Sequence, residues 1–113
     1  MSTISDEQLQ RALDWLRESA AGGAKARAER LYMEEWLPTL RAQIAAECIQ
    51  NGESAAKADI IARASEAYAK ALDAYKTAVE IDEKFRWIRS AGDAVLSAWQ
   101  TMNANNRAMG KLQ

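Results

Sequence analysis

Apolar residues recur along this chain in the three- and four-residue steps of an α-helix. Ser5-Asp6-Glu7-Gln8 reads as a helix start: Ser5 can cap, Gln8 stands at the capping-box position, and Asp6 and Glu7 suit the positive end of the helix dipole. Leu9, Leu13 and Leu16 follow at helical spacing, and Gly22-Gly23 is a stop signal, so a helix is predicted over 6–21. A second is predicted over 24–50, with Met33, Leu37, Leu40, Ile44 and Cys48 as its apolar face, widened by Tyr32 and Trp36. Pro38 removes one hydrogen bond and crowds the carbonyl of Glu34. The periodicity continues across it, which predicts a kink near Glu34–Leu37 rather than a break. Asn51-Gly52 closes the helix, with a glycine available for a left-handed cap. The third segment is predicted over 54–109, capped by Ser54. Ser65-Glu66 offers another cap signal, which either breaks the segment near 64–65 or lies inside it. From Glu66 to Ala108 only Gly92 interrupts the pattern, and those residues would span ~64 Å as continuous helix.

The long segment carries two stripes out of step. Tyr68, Leu72, Tyr75 and Val79 form the first; Ile81, Phe85, Ile88, Gly92, Val95, Trp99 and Met102 form the second. Val79 and Ile81 point about 200° apart on a helix. Such a phase change predicts a change of packing partner around Val79–Phe85, the second half packing partly on another chain. The expected architecture is all-α, an elongated antiparallel helical bundle in one domain over 1–113, with one long C-terminal helix. A face left uncovered on that helix predicts a homo-oligomer, with a homodimer as the simplest form.

Composition agrees. Of 113 residues, 24 are alanine, the best helix former and a poor contributor of buried area, while five glycines and one proline leave few turns for a sheet. The net charge is −1, unevenly spread: residues 1–83 hold ten basic and fifteen acidic groups, and residues 84–113 hold five basic groups against Asp93 alone. This asymmetry is too slight for a dedicated nucleic-acid footprint. A single cysteine excludes an internal disulfide and a cysteine-cluster metal site and fits a reducing compartment. The start of the chain lacks a signal-peptide pattern and no apolar run approaches a bilayer span, so the expected location is cytoplasmic.

The chain has no histidine. That removes the commonest general base, the Ser-His and Cys-His nucleophile pairs and most zinc sites. Glu34-Glu35 and Asp82-Glu83 are adjacent pairs whose side chains diverge by about 100° on a helix, with Arg30 and Arg86 at ion-pair spacing. They read as surface ion pairs rather than acid–base machinery. Cys48, on an apolar face with no activating cation nearby, reads as an inert thiol. No phosphate-cradling glycine loop exists. The expectation is a protein that is not an enzyme, with no catalytic residues, cofactor or metal.

What remains is contact chemistry. Trp15, Trp36, Trp87 and Trp99 are large apolar bodies with one donor each, suited to cores or interface hot spots. Trp36 and Trp99 lie on apolar faces and read first as core. Trp87 sits between Arg86 and Arg89 and is equally suited to core or recognition. Phe85-Arg86-Trp87-Ile88-Arg89 could stack bases and neutralise phosphates, though on a helix its aromatic and basic members separate onto different faces. Gly92 lies within a run of small residues, and a helical glycine costs ~1 kcal/mol against alanine, so another helix is expected to approach it closely. The residues expected to carry contacts are Arg86, Trp87, Arg89, Trp99 and Arg107, with Asn103 onward a fraying end stopped at Gly110.

Phe85-Arg86-Trp87-Ile88-Arg89, then Ala91, Trp99 and Asn105-Asn106-Arg107-Ala108, resembles a pattern near the C-terminus of small helical proteins of tailed phages. Tyr32-Met33-Glu34-Glu35 and Ser65-Glu66-Ala67-Tyr68 extend the likeness over the last two thirds of the chain. The resemblance implies a phage early-region protein, encoded among recombination and replication genes, with no catalytic residues to carry over. The expected function is a non-enzymatic accessory protein of phage DNA metabolism that contacts a phage or host protein. Two other readings are an inhibitor of a host nuclease or defence complex and a single-stranded nucleic-acid binder. Nucleic acid is the less favoured partner, and none is expected in a membrane.

Overall fold

A computed structural model of the protein describes residues 3–112, with side chains described through Gly110. Those residues form three α-helices and no strand: α1 (Asp6–Gln50), α2 (Ala55–Ala64) and α3 (Glu66–Leu112). The all-α class and the long C-terminal helix are as expected. The helix boundaries differ from expectation in two places: α3 runs through Gly110, expected as its stop, to Leu112, and α1 runs through Gly22-Gly23, which the pattern marked as a stop. The reason is packing. A Cβ on Gly22 would lie 2.8 Å from Cζ of Phe85, and the Phe85 ring also lies against Gly23. The two glycines are a socket for an aromatic ring, and both adopt helical backbone.

The ends are made by the residues that signal them. Ser5 and Gln8 form a reciprocal capping box: the Ser5 amide donates to Gln8 Oε1 at 2.9 Å and the Gln8 amide to Ser5 Oγ at 3.1 Å. Gly52, at φ +99°, closes α1 in a Schellman turn, its amide donating to the Ile49 carbonyl while the Glu53 amide donates to that of Cys48. Ser54 caps α2 through the Lys57 amide. Ser65 settles the ambiguity of the third segment: it stands in extended conformation between α2 and α3 and serves both. Its hydroxyl donates to the Ala62 carbonyl at 2.7 Å and accepts the Tyr68 amide at 3.2 Å. The Ala62 carbonyl also takes the Ser65 amide, so Ser65 closes α2 through backbone and side chain together while its hydroxyl satisfies an orphan donor of α3. Pro38 lies inside α1, which continues across it.

The chain forms two compact units, Met1–Ala24 with Glu83–Gln113, and Lys25–Asp82. In the first, α1 and α3 run antiparallel: Leu16 meets Gly92, and six residues further along α1, Gly22 meets Phe85. Gly92 is therefore approached by a helix of its own chain, with Leu16 Cγ 2.8 Å from where a Cβ would stand. In the second unit α1 and α3 again run antiparallel, Arg30 meeting Asp82 and Glu34 meeting Tyr75, and α2 joins them. Ala58 and Ala62 of α2 are fully buried, and Asp59 bridges to Arg41 of α1.

The seam between α1 and α3 is built largely from small side chains. On α1 the inward positions step by three and four from Leu9 through Ala12, Leu16, Ala26 and Met33 to Ile44. On α3 they include Ala71, Ala78, Asp82 and Gly92, all buried. Among the described residues of α1 and α3, the buried apolar side chains are Ala12, Ala26, Met33, Leu37, Ala71 and Ala78, and small side chains such as these let helix axes approach toward the short end of the ~8–10 Å range. In the first α3 stripe Tyr68, Tyr75 and Val79 are half-buried, whereas Leu72 is exposed and its neighbour Ala71 is buried in its place; Ile81, which opens the second stripe, is exposed as well. Asp82 was read as a surface charge; it is 6% exposed, with Arg30 Nη1 at 3.1 Å and Arg27 Nη1 at 3.9 Å.

Two stability measurements follow. Gly92→Ala should destabilise the protein by ~1–2 kcal/mol in urea titration, because overpacking against Leu16 outweighs the gain in helix propensity. Gly110→Ala, which meets nothing within 4 Å, should be neutral or slightly stabilising. Asp82→Ala should cost ~1–2 kcal/mol by removing the buried carboxylate that Arg30 and Arg27 hold, and a double-mutant cycle of Asp82→Ala with Arg30→Met should show coupling between the two positions.

Candidate functional site

In the first unit Trp15 of α1 is 51% exposed and Trp87 of α3 is 74% exposed. They flank an open cleft of ≈ 580 Å³, walled by Trp15, Glu18 and Ser19 on α1 and by Trp87, Ile88 and Ala91 on α3. A second hollow of ≈ 240 Å³ lies on the other side of Trp15, lined by Ile4, Gln8, Arg11, Ala12 and Val95 along with the indole itself. Trp15 is thus a ridge between two depressions in the groove where α1 and α3 meet.

Helical spacing explains the placement. Ile88 and Gly92 face the seam, and Trp87 lies one residue, about 100°, to its side. Trp87, Ala91, Ala94 and Ala98 follow at steps of four, three and four, all exposed, and make a second apolar stripe on α3 beside the one α1 covers. On α1, Arg11, Trp15 and Glu18 share a face in the same way. Glu18 and Arg11 are exposed and, among the described residues, neither makes an ion pair.

The five residues expected to carry contacts do not form one patch. Trp87 is at the cleft. Arg86 is exposed and spends its charge partly on Glu83, 3.5 Å away. Arg89 is exposed but turns from the seam on the opposite side to Trp87. Trp99 lies half-buried at an inward position, as the core reading has it. Arg107 is exposed twenty residues beyond Trp87, ~30 Å along the helix. The residue not singled out as a contact is Trp15. Its spacing relative to Leu16, one step off the seam, is the signal that could have placed it.

The second unit holds a polar cluster of a different kind. Tyr75 donates a hydrogen bond to Glu34 Oε1 at 3.0 Å, and that bond raises the phenol's pKa above its ordinary value of 10, because the carboxylate favours the protonated hydroxyl. Glu34 also takes Arg30 at 3.4 Å. Among the described residues no group of three acidic or thiol side chains converges on a point that could hold a metal ion, and no helix is long and apolar enough to cross a membrane. No family model, curated protein or solved structure matches the chain.

Because the cleft indoles face solvent, Trp87→Ala at low micromolar concentration should leave the unfolding midpoint within ~0.5 kcal/mol of the parent. Trp99→Ala should cost ~2 kcal/mol, being the truncation of a half-buried side chain. Equal effects of the two substitutions would mean that Trp87 belongs to the core.

Proposed function

We propose that this is a non-enzymatic accessory protein that acts by protein–protein contact, through the Trp15–Trp87 cleft. The observation that carries the reading is the pair of exposed indoles on facing walls of one apolar groove. Tryptophan is the residue type most enriched where interfaces concentrate their energy. A protein that leaves two of its four tryptophans about half or more exposed on one groove is built to have that groove covered. The groove between two antiparallel helices suits a third helix, whose apolar face would enter at steps of three and four. The phage-type resemblance places such a protein in phage DNA metabolism, and that assignment is part of the proposal.

The nucleic-acid reading draws less support. Its stacking residue, Trp87, is available, but Arg86 is engaged with Glu83, and Arg89 and Arg107 do not line up with the indole. Phosphate neutralisation needs several cations along one track.

A photo-crosslinking residue, p-benzoylphenylalanine, in place of Trp87 tests the proposal. The purified variant is irradiated in lysates of infected and uninfected host cells. The expected outcome is a discrete protein adduct that Trp15→Ala reduces at least fivefold. Adducts only to nucleic acid, or none at all, would refute contact through this cleft, and a steep loss of nucleic-acid adducts with salt would establish the single-strand reading instead.

A further inference from the structure

The occupant of the groove can be named from the charges that flank Trp15. Arg11 and Glu18 stand on the same face of α1 as the indole, four residues before it and three after it. Arg11 lines the smaller hollow and Glu18 the larger cleft. They are one heptad apart, ~10 Å along the axis, too far to pair with each other. Both are exposed, and neither makes an ion pair among the described residues, although neighbouring Asp14 and Arg17 pair at 3.8 Å.

The order of these three residues is self-complementary. Lay a second α1 antiparallel across the first, with the two-fold axis beside Trp15. Arg11 then meets Glu18 of the second copy, Glu18 meets Arg11 of the second copy, and the two indoles adjoin at the axis. An isologous interface requires this reciprocity, and a surface evolved for an unrelated partner has no need of it. We infer that the Trp15–Trp87 groove is covered by a second copy of this chain, in a two-fold dimer held by the tryptophans and by two reciprocal Arg11–Glu18 ion pairs. The inference rests on the reading of the cleft as a docking surface.

Area sets the strength. At their observed exposures the two indoles leave roughly 200–300 Å² of apolar surface in water per copy. With Ile88, Ala91 and Val95 beside them, each copy contributes on the order of 500 Å², near the lower bound for a specific interface. Such a dimer dissociates at micromolar to sub-millimolar concentrations, so charge reversal can be read directly as a change in affinity.

The experiment is sedimentation equilibrium of the full chain from about 1 to 500 µM at low salt, with helicity checked by circular dichroism. The parent protein should show a reversible monomer–dimer equilibrium. Arg11→Glu places like charges at both symmetry-related contacts and should weaken it at least tenfold, as should Glu18→Arg. The double variant Arg11→Glu with Glu18→Arg should bring affinity back to within about threefold of the parent, and its recovery also excludes misfolding as the cause of the single-variant losses. Trp15→Ala should abolish dimerisation. A monomer throughout the range, or a dimer indifferent to Arg11→Glu and Trp15→Ala, overturns the inference. A monomeric protein that still gives a foreign protein adduct at position 87 overturns it while leaving the cleft's role as a docking surface intact; absence of both overturns the two together.

Discussion

The approach of α1 to α3 is the constraint on which the structure depends. Alanine and glycine hold most of the buried seam positions, and at Gly92 the facing Leu16 leaves no room for even one more methyl group. Close approach lets small side chains gain dispersion contacts that their own surface area would not supply. It also fixes what the rest of the chain can be. In the first unit Trp15 and Trp87 stand one position to the side of Leu16 and Ile88, which face the seam. That offset leaves the two indoles on the walls of one open apolar cleft.

A polar exception sits in the seam. Asp82 occupies an inward position and is matched by Arg30 and, more loosely, by Arg27. A buried pair of this kind adds little net stability compared with apolar residues of similar size, since desolvation offsets the attraction. It does penalise any register in which the two groups fail to meet. Asp82 stands at the end of the second unit. Within that unit Ala71 and Ala78 offer similar inward surfaces, and this charge pair gives α1 and α3 a unique alignment there.

Much of this was legible in the sequence. The helix caps at Ser5, Ser54 and Gly52 act as their residue types dictate, because capping is local chemistry. Ser65 was legible as a signal and ambiguous in effect, since a serine hydroxyl can cap or lie within a helix. The errors have two causes. Gly22-Gly23 was read as a stop because glycine favours a helix end in isolation, whereas here it makes room for the Phe85 ring; Leu72 and Ile81 were read as inward because large apolar side chains were taken to mark the core. In a close-packed alanine seam the signal is inverted, and Ala71, Ala78 and Asp82 mark the inward face. The candidate site followed the same pattern. Trp87 was recognisable from its basic neighbours, whereas Trp15 acquires meaning only when the antiparallel pairing of Leu16 with Gly92 brings its side of α1 against that of Trp87.

The pairing of α1 with α3 is tested most directly by nuclear Overhauser spectroscopy between the Leu16 methyls and the Gly92 α-protons. Mixing labelled and unlabelled protein separates contacts within a chain from those between chains. A strong intramolecular cross-peak is predicted, since a Cβ on Gly92 would stand within 3 Å of the Leu16 side chain. Its absence, or its appearance only between chains, would contradict the close-packed seam and with it the placement of both exposed tryptophans.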